Sequence, residues 1–76
     1  MGKPQALRRA VIKAIGDTLE ERGISERALS EKLGKHKNYI NEILHGQHVV
    51  KFDEFIEIAQ GLDISPHDLL SRVLRP

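Results

Sequence analysis

Between Ile24 and Gly46 the chain is punctuated so tightly that it reads as two short amphipathic helices joined by a sharp turn. Ser25 can cap the first of them, and Ile24, just before the cap, can staple onto Leu29. Leu29 and Leu33 stand one turn apart on its buried face, beside Ala28. Gly34 supplies the positive φ that lets the chain reverse. The second short helix is expected from about Lys37 to His45, with Ile40, Ile43 and Leu44 buried, Tyr39 at the edge and Gly46 as its stop. Its opening residues, Lys37, Asn38 and Tyr39, lie on an otherwise polar face. A short helix held across another, with amide and ammonium groups at its exposed end, has the dimensions to enter the major groove of DNA.

The flanking segments also favour helix. Pro4 suits a first helical turn, where its missing N–H costs nothing. Leu7, Val11, Ile15 and Leu19 then recur every four residues, with Ile12 widening the stripe and Gly23 ending it. A fourth helix carries Phe52, Phe55, Ile56, Ala59 and Leu62, and the spacing predicts both phenylalanines to be core residues. Asp53 and Glu54 sit favourably near its positive end. Gly61 weakens its last turn by up to ~1 kcal/mol relative to alanine. The fifth helix has a full start signal: Ser65 as cap, Pro66 at the first position, Asp68 to close a capping box, and Ile64 with Leu69 as a staple. Leu69, Leu70, Val73 and Leu74 continue its apolar stripe. No segment alternates long enough for a strand, Val49-Val50 being too short. The expected fold class is all-α, a five-helix single domain over residues 1–76, with the helix pair proper at about 25–46.

Seventy-six residues bury a thin core, and without cysteine neither a disulfide nor a thiolate metal site can reinforce it. No apolar run approaches the ~20 residues of a membrane span, and Met1-Gly2-Lys3-Pro4 does not lead into a signal core. The expectation is a soluble cytoplasmic protein without a cofactor. A core this small has no room for a small-molecule pocket, and Ser30 and Ser71 lack evident histidine and acid partners, so no catalytic residue is assigned. Glu42, His45 and His48 fall at metal-ligand spacing, but a helix ending at Gly46 separates the two histidines, and no metal is assigned.

The net charge of +1 conceals strong segregation. Lys3, Arg8, Arg9 and Lys13 make residues 1–13 basic, with no acid. Residues 14–31 are acidic on balance. Lys32, Lys35, Lys37 and Lys51 against Glu42 make 32–52 basic again. Asp53, Glu54, Glu57, Asp63 and Asp68 stand unopposed in 53–68. A polyanion would prefer the first and third blocks and avoid the fourth.

The patterns Leu29-x-x-x-Leu33-Gly34, Ile40-x-x-Ile43-x-x-Gly46 and Phe55-x-x-x-Ala59-x-x-Leu62, with the closing Leu62-Asp63-Ile64-Ser65-Pro66, together resemble the lambda-repressor/Cro-type helix-turn-helix domains of bacteria and phages, the XRE family, over residues 8–74. The resemblance implies a five-helix domain that binds operator DNA as a dimer, with Glu26 to Leu33 as the supporting helix and Lys37 to His45 as the recognition helix. It places Lys37, Asn38, Asn41 and Glu42 where members reach base edges, and Lys35, His45 and the following loop where they meet phosphates. Three positions depart from the pattern. Glu26 replaces a common glutamine and would repel the DNA backbone unless Arg22 or Arg27 compensates. Ser30 replaces a common alanine, so its hydroxyl needs an acceptor. Leu44 stands where glutamate is frequent.

The residues themselves fit these roles. An asparagine amide pairs with adenine through its donor and its acceptor, so Asn38 and Asn41 are base-reading candidates. Lys37 can donate to guanine, and Glu42 can accept from cytosine. Lys35, His36, Tyr39, His45, His48 and Lys51 are the phosphate candidates, with a purely structural role for Tyr39 as the alternative. One such domain reads few base pairs, and the fifth helix carries more apolar surface than its own core can cover. Leu70, Val73 and Leu74 are therefore the expected homodimer interface, with packing of the whole stripe under the first and fourth helices of its own chain as the alternative. The expected partners are double-stranded DNA and a second copy of the chain. The second reading is a protein-interaction module on the same scaffold, favoured by Glu26 and the acidic block 53–68.

Overall fold

Side-chain capping and left-handed glycines divide the chain into helices. The computed structural model describes residues 4–75, and among them the elements are α1 (Pro4–Arg22), α2 (Glu26–Lys32), α3 (Tyr39–Leu44), α4 (Phe52–Gly61) and α5 (Pro66–Leu74), with no strand. Lys3 of the first basic block lies outside these residues. The all-α, five-helix expectation holds.

Ser25 caps α2 by accepting from the Ala28 N–H, and Ser65 caps α5 by accepting from Asp68. The Asp68 carboxylate makes no return bond to the Ser65 N–H, being one methylene shorter than the glutamate that usually closes such a box. The return bond is made instead at α4, where Glu54 accepts from the Lys51 N–H at 2.8 Å. Gly34 adopts φ +72°, and the Lys35 N–H returns to the Ser30 carbonyl, which turns the chain sharply out of α2. Asp63, at φ +57°, plays the left-handed role between α4 and α5 that glycine plays elsewhere.

α1 packs on α3 and α5, α2 on α3 and α4, and α4 on α5. The core between them contains Ile15, Leu19, Leu29, Ile40, Ile43, Ile58, Leu62 and Leu69, with Val73 and the Tyr39 ring closing it. Thr18 is buried with both bonds met: it donates to the Ala14 carbonyl and accepts from Arg72, which also holds Glu21 at 2.7 Å. That cluster fastens α5 to α1.

Several apolar expectations are corrected. Phe52 is 82% exposed rather than core, because it is the first residue of α4 and no preceding turn lies beneath its side chain. Phe55, one turn on, does pack against the core. Leu7 and Ala28 are exposed, whereas Ile58, outside the expected stripe, is fully buried. Gly61 has a positive reason to lack a side chain: a Cβ there would lie 2.8 Å from Leu29 Cδ1 and 3.0 Å from Leu33 Cδ2, so glycine is what lets α4 approach α2.

Candidate nucleic-acid interface

The second helix of the pair is shorter than its sequence signal. α3 begins at Tyr39, with Asn38 at the N-cap and Lys37 in the preceding turn. Asn38 spends no side-chain hydrogen bond on the cap, so its amide is left exposed. The cap bond comes from the neighbouring helix instead. Buried Ser30 donates its hydroxyl to the Glu26 carbonyl at 2.8 Å and accepts from the Ile40 N–H at 3.1 Å. The hydroxyl that the departure from alanine introduced is thus satisfied twice, and it pins the start of α3 onto α2.

Along α3 the side chains divide by helical period. Ile40 and Ile43 are fully buried, Leu44 packs toward Gly16 of α1, and Asn38, Asn41, Glu42 and His45 share the outer side. Asn41 donates its Nδ2 to Glu26 Oε1 at 2.9 Å. Neither arginine expected to neutralise Glu26 does so: Arg27 pairs with Glu31 at 3.4 Å, and Arg22 donates to the Asp63 carbonyl. Glu42 Oε1 stands 3.4 Å from His36 Nε2, and His45 Nδ1 lies 2.8 Å from the Asn41 carbonyl. Glu42, His45 and His48 are therefore engaged by three different groups, and among the described residues no cluster of ligands could hold a metal ion.

The phosphate candidates separate into two kinds. Lys35, His36, His45 and Lys51 are exposed. Lys35 rests its ammonium 5.5 Å from the Tyr39 ring centroid, and Lys37, also exposed, has no ion-pair partner among the described residues. Tyr39 and His48 turn inward. Tyr39 is 4% exposed and donates its hydroxyl to Glu54 at 2.8 Å, while His48 Nε2 lies 2.9 Å from the same carboxylate. Burial and the neighbouring carboxylate push the Tyr39 hydroxyl pKa well up, which keeps it protonated as a donor. Burial works against ionisation of Glu54, yet the Lys51 N–H, the Tyr39 hydroxyl and the His48 ring together overcome it and hold its pKa down to about 2. The three groups form a structural clamp across the α3–α4 loop, in which Tyr39 and His48, both phosphate candidates by sequence, are turned toward Glu54.

The structure adds basic residues absent from the expected contact set. Arg8, Arg9 and Lys13 of α1 border the same shallow cleft as Leu44, His45 and Gly46 at the end of α3. Lys13 is tied to Asp17 at 2.8 Å, but Arg8 and Arg9 have no ion-pair partner among the described residues. The charge run at the start of the chain was the available signal; its proximity to α3 follows from the packing of α1 on that helix.

The expected dimer residues also divide. Val73 is 4% exposed and belongs to the core, because with Leu69 it forms the i, i+4 stripe facing α1 and α4. Leu70 and Leu74, 45% and 67% exposed, form the adjacent stripe. Leu70 borders an apolar groove with Leu7, Val11, Phe52 and Phe55.

A helix-turn-helix domain family model matches residues 12–75 of the chain. The chain belongs to the helix-turn-helix domain family. The lambda-repressor/Cro-type resemblance of the sequence agrees with that membership. Two crystal structures of the clp gene regulator ClgR from Corynebacterium glutamicum share the fold, with TM-scores of 0.79 and 0.80. Each is 24% identical to this chain and covers 88% of it, the match spanning 71% of one ClgR chain and 87% of the other. No curated protein matches the sequence. Among the described residues of this helix-turn-helix protein, no helix is long and apolar enough to cross a membrane.

Proposed function

We propose that this helix-turn-helix protein is a sequence-specific DNA-binding transcriptional regulator that sets α3 into the major groove of an operator as a homodimer. The observation that carries the reading is the pinning of α3 by Ser30. That bond holds a six-residue helix against α2 while Lys37 and Asn38 stay exposed at its leading end. Preorganised donors on a rigidly held helix end suit base-edge recognition in the major groove.

Lys37, Asn38, Asn41 and Glu42 form the base-reading set. Lys35, His36, His45 and Lys51 meet phosphates, and Arg8 and Arg9 extend the cationic rim. A homodimer joined through Leu70 and Leu74 would place two recognition helices about 34 Å apart, in successive major grooves of a palindromic site. The fold shared with ClgR, which is named as a gene regulator, accords with this reading.

Binding-site selection from randomised duplex DNA, with affinity measured across a salt series, tests the proposal. A DNA reader returns a palindromic motif, and its log-log salt slope is near −0.9 per phosphate neutralised. The protein-interaction alternative draws on one observation: two carboxylates, Glu26 and Glu42, stand on or beside the presenting face. It predicts no motif and a flat salt response.

A further inference from the structure

Glu26 and Asn41 come from different helices and meet at 2.9 Å. The amide orientation of an asparagine is ordinarily ambiguous, but a carboxylate accepts only from the nitrogen. The Asn41 amide therefore has one orientation, with Nδ2 toward Glu26 and the planar carbonyl turned away. Oδ1 has no hydrogen-bond donor among the described residues, and Asn41 remains half-exposed on the outer side of α3.

No cation interrupts this arrangement, since Arg22 and Arg27 are engaged by Asp63 and Glu31. Glu42, the next residue, adds a second carboxylate partly covered by His36. The middle of the presenting face is therefore rich in acceptors, whereas Lys35 and Lys37 make its leading edge rich in donors.

Resting on the DNA-reading function proposed above, we infer that Glu26 is a positioning residue that decides which base edge Asn41 reads. A free asparagine can present either end of its amide. Held by Glu26, Asn41 offers Oδ1 beside the one Nδ2–H that Glu26 leaves free, and Oδ1, with the carboxylate behind it, repels the electronegative O6 of guanine and O4 of thymine. The group that fits is an exocyclic amine, N4 of cytosine or N6 of adenine. Each base pair carries one such amine in the major groove, on one strand only. Asn41 therefore reads which way round a base pair lies, and C or A is selected over G or T on the contacted strand.

Glutamine at position 26 is nearly isosteric but can accept from or donate to Asn41, so Glu26→Gln removes the lock while keeping a bond. The experiment measures binding of the wild type, Glu26→Gln, Asn41→Ala and the double variant to four duplexes differing at the contacted position. Thermal melts confirm that each protein is folded. The wild type is expected to favour C and A over G and T by roughly 5- to 100-fold. In Glu26→Gln that discrimination falls to within about twofold, with other motif positions unchanged, and in the Asn41→Ala background Glu26→Gln changes nothing at this position. Discrimination that survives Glu26→Gln, or persists in Asn41→Ala, overturns the inference while leaving DNA reading intact. A wild type that selects no motif at all overturns the DNA-reading function itself, and the inference with it.

Discussion

The Tyr39 hydroxyl donates to the Glu54 carboxylate at 2.8 Å, joining the first residue of α3 to the first turn of α4. The same carboxylate holds His48 and accepts from the Lys51 N–H. One acid thus closes the loop behind the presenting helix, and its loss should be seen in stability rather than in affinity for DNA.

Glu54→Gln should destabilise the protein by about 1–3 kcal/mol at neutral pH, since it removes a charged acceptor from three hydrogen bonds. The sign of the pH dependence follows from its depressed pKa of about 2 against an ordinary 4.5. Stability from Glu54 is fully present above the ordinary value and is lost as pH falls through the folded one. The gap between wild type and Glu54→Gln should therefore narrow steadily from pH 5 toward pH 2. Chemical denaturation across that range checks it; a constant gap would contradict the clamp.

Tyr39→Phe separates clamp from phosphate contact. It should cost about 1 kcal/mol of stability and leave the salt slope of DNA binding unchanged. A slope smaller by about one unit would return Tyr39 to the phosphate set.

Two helical glycines should respond oppositely to alanine. A Cβ at Gly16 would meet Leu44 Cδ2 at 3.8 Å, an ordinary contact, so Gly16→Ala should stabilise by about 0.5–1 kcal/mol. Gly61→Ala must displace Leu29 and Leu33 and should destabilise by about 1–3 kcal/mol. Paired urea denaturation curves decide the matter.

Among the exposed bases, Lys35→Ala and Arg8→Ala should each weaken binding to all sequences alike and reduce the salt slope by about one unit. Asn38→Ala should instead cost ~1–3 kcal/mol on the selected site and relax one motif position. An unchanged motif at unchanged affinity would remove Asn38 from the readers.

The apolar stripe beside the core gives the dimer test. Leu74→Glu should stay folded, because the side chain is largely exposed already, and should sediment as a monomer with most operator affinity lost. A wild type that sediments as a monomer at high concentration, with DNA present, would end the dimer proposal. Val73→Glu should unfold the protein, since that side chain lies in the core.

The helix order, caps and glycine turns were legible because they are local: Ser25, Gly34, Gly46 and Ser65 act within a few residues of themselves. What escaped was set by contacts between elements. The stripe spacing includes Phe52, but nothing local shows that no turn lies beneath it. The family resemblance marks Glu26 as a departure from a common glutamine, yet only the crossing of α2 and α3 supplies Asn41 as its partner. Gly61 looked like a weak point in α4 until Leu29 and Leu33 stood against it. Arg8 and Arg9 formed a charge run whose neighbour, the end of α3, was visible only after folding.

The hydroxyl of Ser30 has a consequence for how this surface comes into being. Six residues are far too few to hold helical shape alone in water. Because a side chain of α2 caps the first turn of α3, the presenting surface is expected to form only when the two helices are docked. An excised peptide spanning residues 37–46 should be unstructured and inert, and thermal loss of the presenting surface should coincide with global unfolding rather than precede it.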